Sequence, residues 1–199
     1  MMAASMTVPA APSSVPRRRF TVTDYHRMAE AGTLGEDNRV ELIEGEVLQM
    51  APIGHRHAAT VMKLGIAFAP LVAAGAAAPS TQNPLLLGPH NEPQPDFALL
   101  RPLVSRYDAA FPTPADVLLV VEVADTSLTF DRDTKLPLYA PSGITEVWLI
   151  DLVHERIELW FDPTPQGYRT MRVALRGETI TARAFPSYTV AVDALLPVS

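Results

Sequence analysis

A single carboxylate interrupts an otherwise apolar segment in the middle of the chain. Residues 117–124 read VLLVVEVA, and Glu122 is the acid. The length and β-branched content of this run predict a central strand that is buried on both faces. Moving an unpaired charge out of water costs far more free energy than the packing of one strand returns. Glu122 therefore needs a partner, either a cationic side chain or a metal ion.

Length and composition predict one folded domain with a tail. The chain has 199 residues, of which 48% are hydrophobic and 19% are charged. This is enough apolar material for one sizeable domain and too little for a second full one. Its first residues are rich in Ala, Ser and Pro and have no hydrophobic periodicity. We therefore expect a disordered tail over residues 1–19 and a single domain over residues 20–199.

Several classes of protein are disfavoured by composition. The chain has no cysteine, which excludes disulfides and thiolate metal sites. No stretch approaches the ~20 apolar residues of a membrane span, and the N-terminus lacks the pattern of a signal peptide. We expect a cytoplasmic protein without a membrane partner. A net charge of −6 argues against a protein that coats nucleic acid nonspecifically, although it leaves a local basic surface open.

Hydrophobic periodicity predicts a mixed α/β fold. We expect a short helix capped by Thr23, a β-hairpin over residues 39–50 that turns at Glu44 and Gly45, and a long helix over residues 57–74. The other predicted strands lie within residues 76–87, 94–100, 117–124, 146–151, 156–161, 168–174 and 179–184, and short helices at 131–139 and 192–196. The expected architecture is a mixed β-sheet core flanked by helices, with an N-terminal hairpin and added C-terminal strands.

Three ionisable residues are placed so that this fold can bring them together. Asp96 follows Pro95 at the start of one predicted strand, and Glu122 lies late in the next. If those two strands are neighbours, the two carboxylates meet at one place in the sheet. Lys135, in the helix that follows, can then fold back towards them.

This set resembles the PD-(D/E)xK phosphodiesterase superfamily, and the wording of the motifs is similar to its Uma2 branch. Pro95-Asp96 matches the first half of the signature, and Glu122 matches the second acid. Ala124 stands where the superfamily pattern has Lys, and Lys135 resembles a displaced replacement. The matching segments are residues 40–46 (VELIEGE), 94–96 (QPD), 121–123 (VEV), 135–139 (KLPLY) and 143–151, within a resemblance that covers about residues 25–196.

The resemblance implies a restriction-endonuclease-like fold and an Mg²⁺-dependent endonuclease acting on DNA, with Mn²⁺ as a substitute metal. Asp96 and Glu122 would hold the metal with the backbone carbonyl of Val123, since Mg²⁺ prefers oxygen ligands. Lys135 would orient or help to deprotonate the attacking water and offset phosphate charge. His57 resembles a histidine that the family carries near the phosphate. Glu44 is a second supporting candidate, on a hairpin face that also includes other acids.

Structural explanations for the same residues remain open. Glu122 and Lys135 can form a buried ion pair, with Asp96 capping a turn. His57 can be a surface or capping residue, and Glu44 a solvated acid beside a turn. The protein is then a noncatalytic nucleic-acid-binding or assembly module.

Further alternatives concern the substrate and the loop after the Glu122 strand. RNA or a nucleotide is a possible substrate in place of DNA, and a homodimer can pair two sites, with the C-terminal strands as its contact. Ser127 has two possible roles, a contact with a phosphate oxygen and the capping of the following helix. Asp131 is open between a site role and a helix-terminal charge.

Overall fold

The computed structural model describes residues 17–35 and 39–198. Most of the predicted tail, residues 1–16, lies outside the described residues. Residues 17–19, which the sequence also assigned to the tail, are exposed, and the Arg17 guanidinium lies 3.0 Å from the Glu46 carboxylate. Among the helices in the described part of the chain, none is long and apolar enough to cross a membrane.

A six-stranded mixed sheet forms the centre of the fold. Its strand order is β3-β4-β5-β6-β7-β8, and within it only β5 and β6 run parallel. The strands are β3 (Ala78–Ser80), β4 (Phe97–Leu100), β5 (Val117–Ala124), β6 (Glu146–Asp151), β7 (Arg156–Thr164) and β8 (Gly167–Ala174). The predicted central strand is confirmed, because β5 lies inside the sheet and is buried along nearly its whole length.

Helices cover both faces of the sheet. The helices are α1 (Val22–Glu30), α2 (His55–Ala73), α3 (Val104–Tyr107), α4 (Leu128–Phe130), α5 (Leu136–Tyr139) and α6 (Val192–Leu195). On one face, Leu64 and Phe68 of α2 pack with Val121 and Val123 of β5. On the other face, Leu136 and Tyr139 of α5 pack with the next residues in the β5 alternation, among them Val120. The mixed α/β class is thus confirmed.

The N-terminal hairpin forms as predicted. Strand β1 (Val40–Ile43) pairs antiparallel with β2 (Glu46–Gln49). The two turn residues, Glu44 and Gly45, have φ values of 51° and 78°, as the tight two-residue hairpin turns require. A Cβ on Gly45 would lie 2.6 Å from the Cβ of Arg19, so glycine also permits a close approach of two chain segments here.

Two local predictions were wrong, and a third, the added C-terminal strands, was right without predicting how the strands pair. The N-cap of α1 is Thr21 and not Thr23, because the Thr21 and Asp24 side chains form a reciprocal capping box. The helix expected over residues 131–139 is longer, because α4, a π-helical segment (Asp131–Lys135) and α5 follow each other without a break. Of the two predicted C-terminal edge strands, only β8 joins the main sheet. Strand β9 (Thr179–Thr181) pairs instead with β10 (Thr189–Ala191).

Candidate active site

The two acids of the motif lie side by side on neighbouring strands. Strands β4 and β5 are antiparallel, and their register pairs Phe97 with Val121. Asp96, one residue before Phe97, therefore lies beside Glu122. The Asp96 N–H donates to Oε2 of Glu122 over 3.3 Å, and the Val123 N–H donates to Oδ2 of Asp96 over 2.8 Å. The sequence-based expectation that these carboxylates meet is confirmed as geometry.

Lys135 lies between two carboxylates. Its Nζ is 3.3 Å from Oε1 of Glu122 and 3.3 Å from Oε2 of Glu41, and its side chain is 6% exposed. Burial alone would lower the pKa of Lys135, but the Glu122 and Glu41 carboxylates, with two more acids nearby, outweigh it and raise the pKa. The amine is therefore an ammonium ion at neutral pH.

The π-helical segment places Lys135 in this position. An i→i+5 segment adds a residue to one helical turn, and Lys135 is its last residue. Pro137 is the second residue of α5, inside the continuous helix, and it has no backbone N–H to donate to the preceding turn. Lys135 was predicted to fold back towards Asp96 and Glu122, and through this irregular turn it contacts Glu122 directly.

Glu122 is enclosed completely. Burial is the main cause that raises its pKa well above the ordinary value, and Asp96 and Asp131 add to the rise, while Lys135 opposes it. The Tyr139 hydroxyl donates to Oε1 of Glu122 over 2.5 Å. Oε1 thus contacts both Lys135 and Tyr139, whereas Oε2 accepts the long 3.3 Å bond from the Asp96 N–H.

His57 and Asp96 form a pair at the start of α2. Nε2 of His57 lies 2.9 Å from Oδ1 of Asp96, and its hydrogen bond to Asp96 is the main cause that raises the pKa of His57. Burial would raise the pKa of Asp96, but His57, Lys135 and the Val123 N–H together lower it. The structure therefore brings His57 into the cluster, next to the carboxylate that was predicted to hold a metal.

Glu44 is not part of this cluster, and Glu41 takes its place. Glu44 lies exposed in the hairpin turn, where its N–H donates to Oδ1 of Asn91. Glu41 is buried on β1, and its Oε2 accepts from the Gln94 N–H over 3.1 Å besides contacting Lys135. The sequence predicted the correct hairpin but the wrong residue on it. The packing of β1 buries Glu41 and leaves Glu44 exposed.

Asp131 is a fourth buried carboxylate in the same place. The Ser127 hydroxyl donates to its Oδ2 over 2.5 Å. Burial raises the pKa of Asp131 to about 6, although Lys135 and Ser127 oppose the rise. Ser127 occupies the N-cap position of α4, but its hydroxyl bonds to the Asp131 carboxylate and makes no side-chain capping bond. Asp131 adds another acid to the cluster around Lys135.

A cavity of about 470 Å³ opens above these residues. Asp96, Glu41, His57 and Lys135 lie in its lining, and Glu122 lies behind them. The other lining residues come from the end of the hairpin, the loop before α2 and the segment after β5: Arg39, Leu48, Gln49, Met50, Ala51, Pro52, Ile53, Gly54, Asp125, Thr126, Ser127, Phe130 and Asp131.

The donor set fits a hard divalent cation held by two side chains. Four buried carboxylates surround the single Lys135 ammonium, so the cluster carries excess negative charge. Among the described residues, no three His, Cys, Asp or Glu side chains are grouped to hold a metal. Mg²⁺ needs only one or two carboxylates and keeps several waters. Asp96 and Oε2 of Glu122, which accepts one long hydrogen bond, meet that requirement.

The backbone of Val123 faces the same place. Its N–H donates to Asp96, while the carbonyl of the next residue, Ala124, points the other way and accepts from the Leu152 N–H. Because backbone groups alternate sides along a strand, the Val123 carbonyl points to the Asp96 side of β5. It is therefore available as the third oxygen that the sequence resemblance implied.

Comparisons with known proteins show the family and the fold of the chain. The family model for Uma2, described as "Putative restriction endonuclease", matches residues 22–194. A solved structure from Anabaena variabilis, described as a putative nuclease belonging to DUF820, superposes with a TM-score of 0.69 at 15% sequence identity. The match covers 88% of this chain and 97% of that one, so the two proteins share a fold. The search of curated proteins found no match. Since the family model covers most of the chain, the protein belongs to the Uma2 family.

Proposed function

We propose that the protein is an Mg²⁺-dependent endonuclease that hydrolyses phosphodiester bonds in DNA. The observation that carries the proposal is the position of Asp96 beside Glu122, with the Lys135 ammonium 3.3 Å from Glu122 behind a cavity lined by Asp96 and Lys135. The family description supports the nuclease class. Mn²⁺ should substitute for Mg²⁺, because both accept oxygen ligands.

Asp96, Glu122 and the Val123 carbonyl would hold the metal. Bound Mg²⁺ would supply positive charge to the scissile phosphate and lower the pKa of a bound water. Lys135 remains protonated because the surrounding acids raise its pKa. We therefore assign it the task of orienting the water and offsetting phosphate charge, and we withdraw the role of general base.

The neighbouring side chains hold these groups in place. His57 donates to Oδ1 of Asp96 and leaves that carboxylate ionised. Tyr139 and Glu41 fix the Glu122 carboxylate and the Lys135 ammonium, respectively. Groups that stabilise a transition state act best when they are already oriented, and these contacts provide that orientation.

A noncatalytic module is the second candidate, and one observation favours it. The Glu122 side chain is only 2% exposed and already has both a cation and a hydroxyl donor as partners. Such a group satisfies its charge without a metal. In that case the cluster stabilises a nucleic-acid-binding or assembly fold, and divalent metal has no effect on the protein.

Conservative variants separate the two candidates. Asp96→Asn and Glu122→Gln should abolish the wild-type cleavage of oligonucleotide DNA, offered as single strands and as duplexes, in Mg²⁺ and in Mn²⁺ while the protein still folds. The matched control is Asp116→Asn, which changes a buried acid paired with Arg106 outside the cavity. Unaltered cleavage in both site variants would refute the endonuclease proposal, and so would a wild-type protein that neither binds metal nor cleaves.

A homodimer and a cytoplasmic location remain part of the proposal. Support for a self-contact comes from α2, where Met62 and Ile66 lie one turn apart and are 66% and 72% exposed. Two such large apolar side chains on one helix face are suited to protein contact. Light scattering on wild-type protein and on Met62→Glu measures the oligomeric state directly, and an unchanged monomer in both would remove the dimer.

A further inference from the structure

The reactive groups lie at the bottom of a recess and cannot be reached from a flat surface. The side chains of Asp96, Lys135 and His57 are 12%, 6% and 14% exposed. A phosphate group that meets them must enter the cavity. The shape of the cavity therefore limits which form of nucleic acid can be a substrate.

The size of the cavity matches one nucleotide. Its volume is about 470 Å³, and pockets of roughly 300–1,000 Å³ hold compact small molecules. An intact duplex is far too wide to enter such a space. Enzymes that act on a group inside a duplex solve this problem by taking one nucleotide out of the stack into a pocket, or by acting on single strands.

Part of the cavity lining is apolar. Leu48, Met50 and Ile53 form the side contributed by the hairpin and the following loop, and Phe130 of α4 is the aromatic residue of the lining. Ile53 is 44% exposed, so its side chain can be reached from solvent. An unpaired base offers an apolar face that can lie against such a wall, and aromatic side chains are common stacking platforms for single strands. Paired bases inside a duplex do not offer that face.

The charges of the lining disfavour a duplex as well. A duplex carries about one phosphate charge per ~1.7 Å of its axis, and proteins that bind it neutralise many of these charges with Lys and Arg. The described lining holds two permanent cations and four carboxylates: Arg39, Lys135, Glu41, Asp96, Asp125 and Asp131. The guanidinium of the nearby Arg56 already bonds to Asp125 and to the Leu152 carbonyl. The surroundings suit one phosphate with a bound metal and not a row of phosphates.

We propose that the cavity receives a single unpaired nucleotide of a nucleic-acid strand, with its phosphate at Asp96 and Lys135 and its base against Phe130 and Ile53. The inference rests on the proposed phosphodiesterase function and narrows its substrate class. The same unpaired chemistry occurs in DNA and in RNA strands. Single strands, gaps and extruded nucleotides are then substrates, and a blunt, fully paired duplex is not.

The test measures binding and cleavage separately. End-labelled oligonucleotides of one sequence are prepared as a single strand, a blunt duplex and a gapped duplex, in DNA and RNA forms. Fluorescence anisotropy on Asp96→Asn, which should not cleave, gives the affinities. We expect the single strand and the gapped duplex to bind roughly ten-fold or more tightly than the blunt duplex. The DNA and RNA arms identify which strand is preferred.

Two wall variants and one control make the result specific. Phe130→Ala, in the same Asp96→Asn background, should reduce the affinity for the single strand to that for the blunt duplex. Ile53→Ser, an exposed loop change, should give a smaller loss and serves if Phe130→Ala does not fold. Phe111→Ala is the matched control, because Phe111 is 44% exposed and lies against His26 outside the cavity lining.

Each outcome has a distinct meaning. Equal binding of blunt duplex and single strand, no binding of any oligonucleotide, or insensitivity to both wall variants would overturn the inference. Tight single-strand binding without cleavage by wild-type protein in Mg²⁺ or Mn²⁺ would support the inference and refute the proposed hydrolysis. Cleavage of the blunt duplex as fast as the single strand would support the proposed hydrolysis and refute the inference about unpaired nucleotides.

Discussion

The hydroxyl of Tyr139 donates a 2.5 Å hydrogen bond to Oε1 of Glu122, and both residues are buried inside the protein. Burial and the nearby Glu122 charge raise the pKa of Tyr139, so the phenol keeps its proton and remains a donor. This bond gives the buried Glu122 carboxyl a hydrogen-bond donor in a place that water does not reach. Removing this hydrogen bond therefore measures how much it contributes to the stability of the buried Glu122 side chain.

Replacing Tyr139 by Phe should lower the free energy of unfolding by about 1–3 kcal/mol, because a charged acceptor loses a buried donor. Ring volume is conserved, so packing changes little. Urea denaturation measures the loss. The matched control is Tyr168→Phe, since the Tyr168 hydroxyl donates to the neutral Ile144 carbonyl over 2.8 Å and its removal should cost only about 0.5–1.5 kcal/mol. Equal losses in both variants would show that Glu122 is not ionised beside Tyr139.

Lys135 should be more costly to remove than any single acid around it. Lys135→Met leaves Glu122 and Glu41 without their shared cation, and breaking a buried ion pair from one side costs about 3–5 kcal/mol. The double variant Lys135→Met with Glu122→Gln should recover part of this loss, since the uncompensated charge is gone. Denaturation of the two single variants and the double variant gives the coupling free energy. Strict additivity would contradict a direct Glu122–Lys135 interaction.

The ionised Asp131 carboxylate should lower the free energy of unfolding at neutral pH. Burial raises its folded pKa to about 6 from an ordinary value of 3.8. The folded state therefore binds more protons than the unfolded state between these values, and stability falls as pH rises from about 4 to about 6. Asp131→Asn keeps the acceptor for Ser127 and removes the charge. It should raise the free energy of unfolding by ~1–3 kcal/mol at neutral pH and leave it unchanged near pH 3.8.

A pH series of thermal melts on wild type and Asp131→Asn measures this difference. The control is Asp116→Asn, which should have the opposite dependence. The Thr113 and Arg106 contacts outweigh burial and lower the pKa of Asp116, so its ionised form stabilises the fold above the ordinary pKa of 3.8 and the benefit is lost in acid. If the stability of the two variants relative to wild type changed with pH in the same direction, the pKa shifts assigned to Asp131 and Asp116 would be contradicted.

Local patterning predicted that Asp96 and Glu122 can meet, on the condition that their two strands are neighbours. Alternation along β5 places Glu122 on the same sheet face as Val120, and alternation from Ala98 back along the chain places Asp96 there too. Antiparallel pairing of the two strands then requires the carboxylates to be adjacent. These are short-range rules, and the apolar runs that carry them are unambiguous.

The remaining parts of the cluster depend on long-range packing. Glu41 and Glu44 lie on one hairpin, and the sequence cannot tell which of them faces the sheet. The answer comes from the bridge between Leu42 and Glu92 and from the bond of the Gln94 N–H to Glu41, which dock β1 beside the start of β4. The π-helical segment was not predicted either, because the pattern of residues 131–139 indicated only a short helix.

Metal binding is the most direct prediction of the proposed site. Four buried carboxylates around one ammonium leave excess negative charge, which a divalent cation would offset. Mg²⁺ or Mn²⁺ should therefore raise the melting temperature of wild-type protein in a concentration-dependent way. At a metal concentration of one hundred times the dissociation constant, the free energy of unfolding should increase by about 2.7 kcal/mol. Calorimetric titration gives that constant directly. Asp96→Asn should lose both effects, because its carboxylate lies in the cavity lining, whereas Asp116→Asn should keep both. Identical metal responses in wild type and Asp96→Asn would place the ion elsewhere. A response in neither would favour the structural ion pair of Glu122 and Lys135.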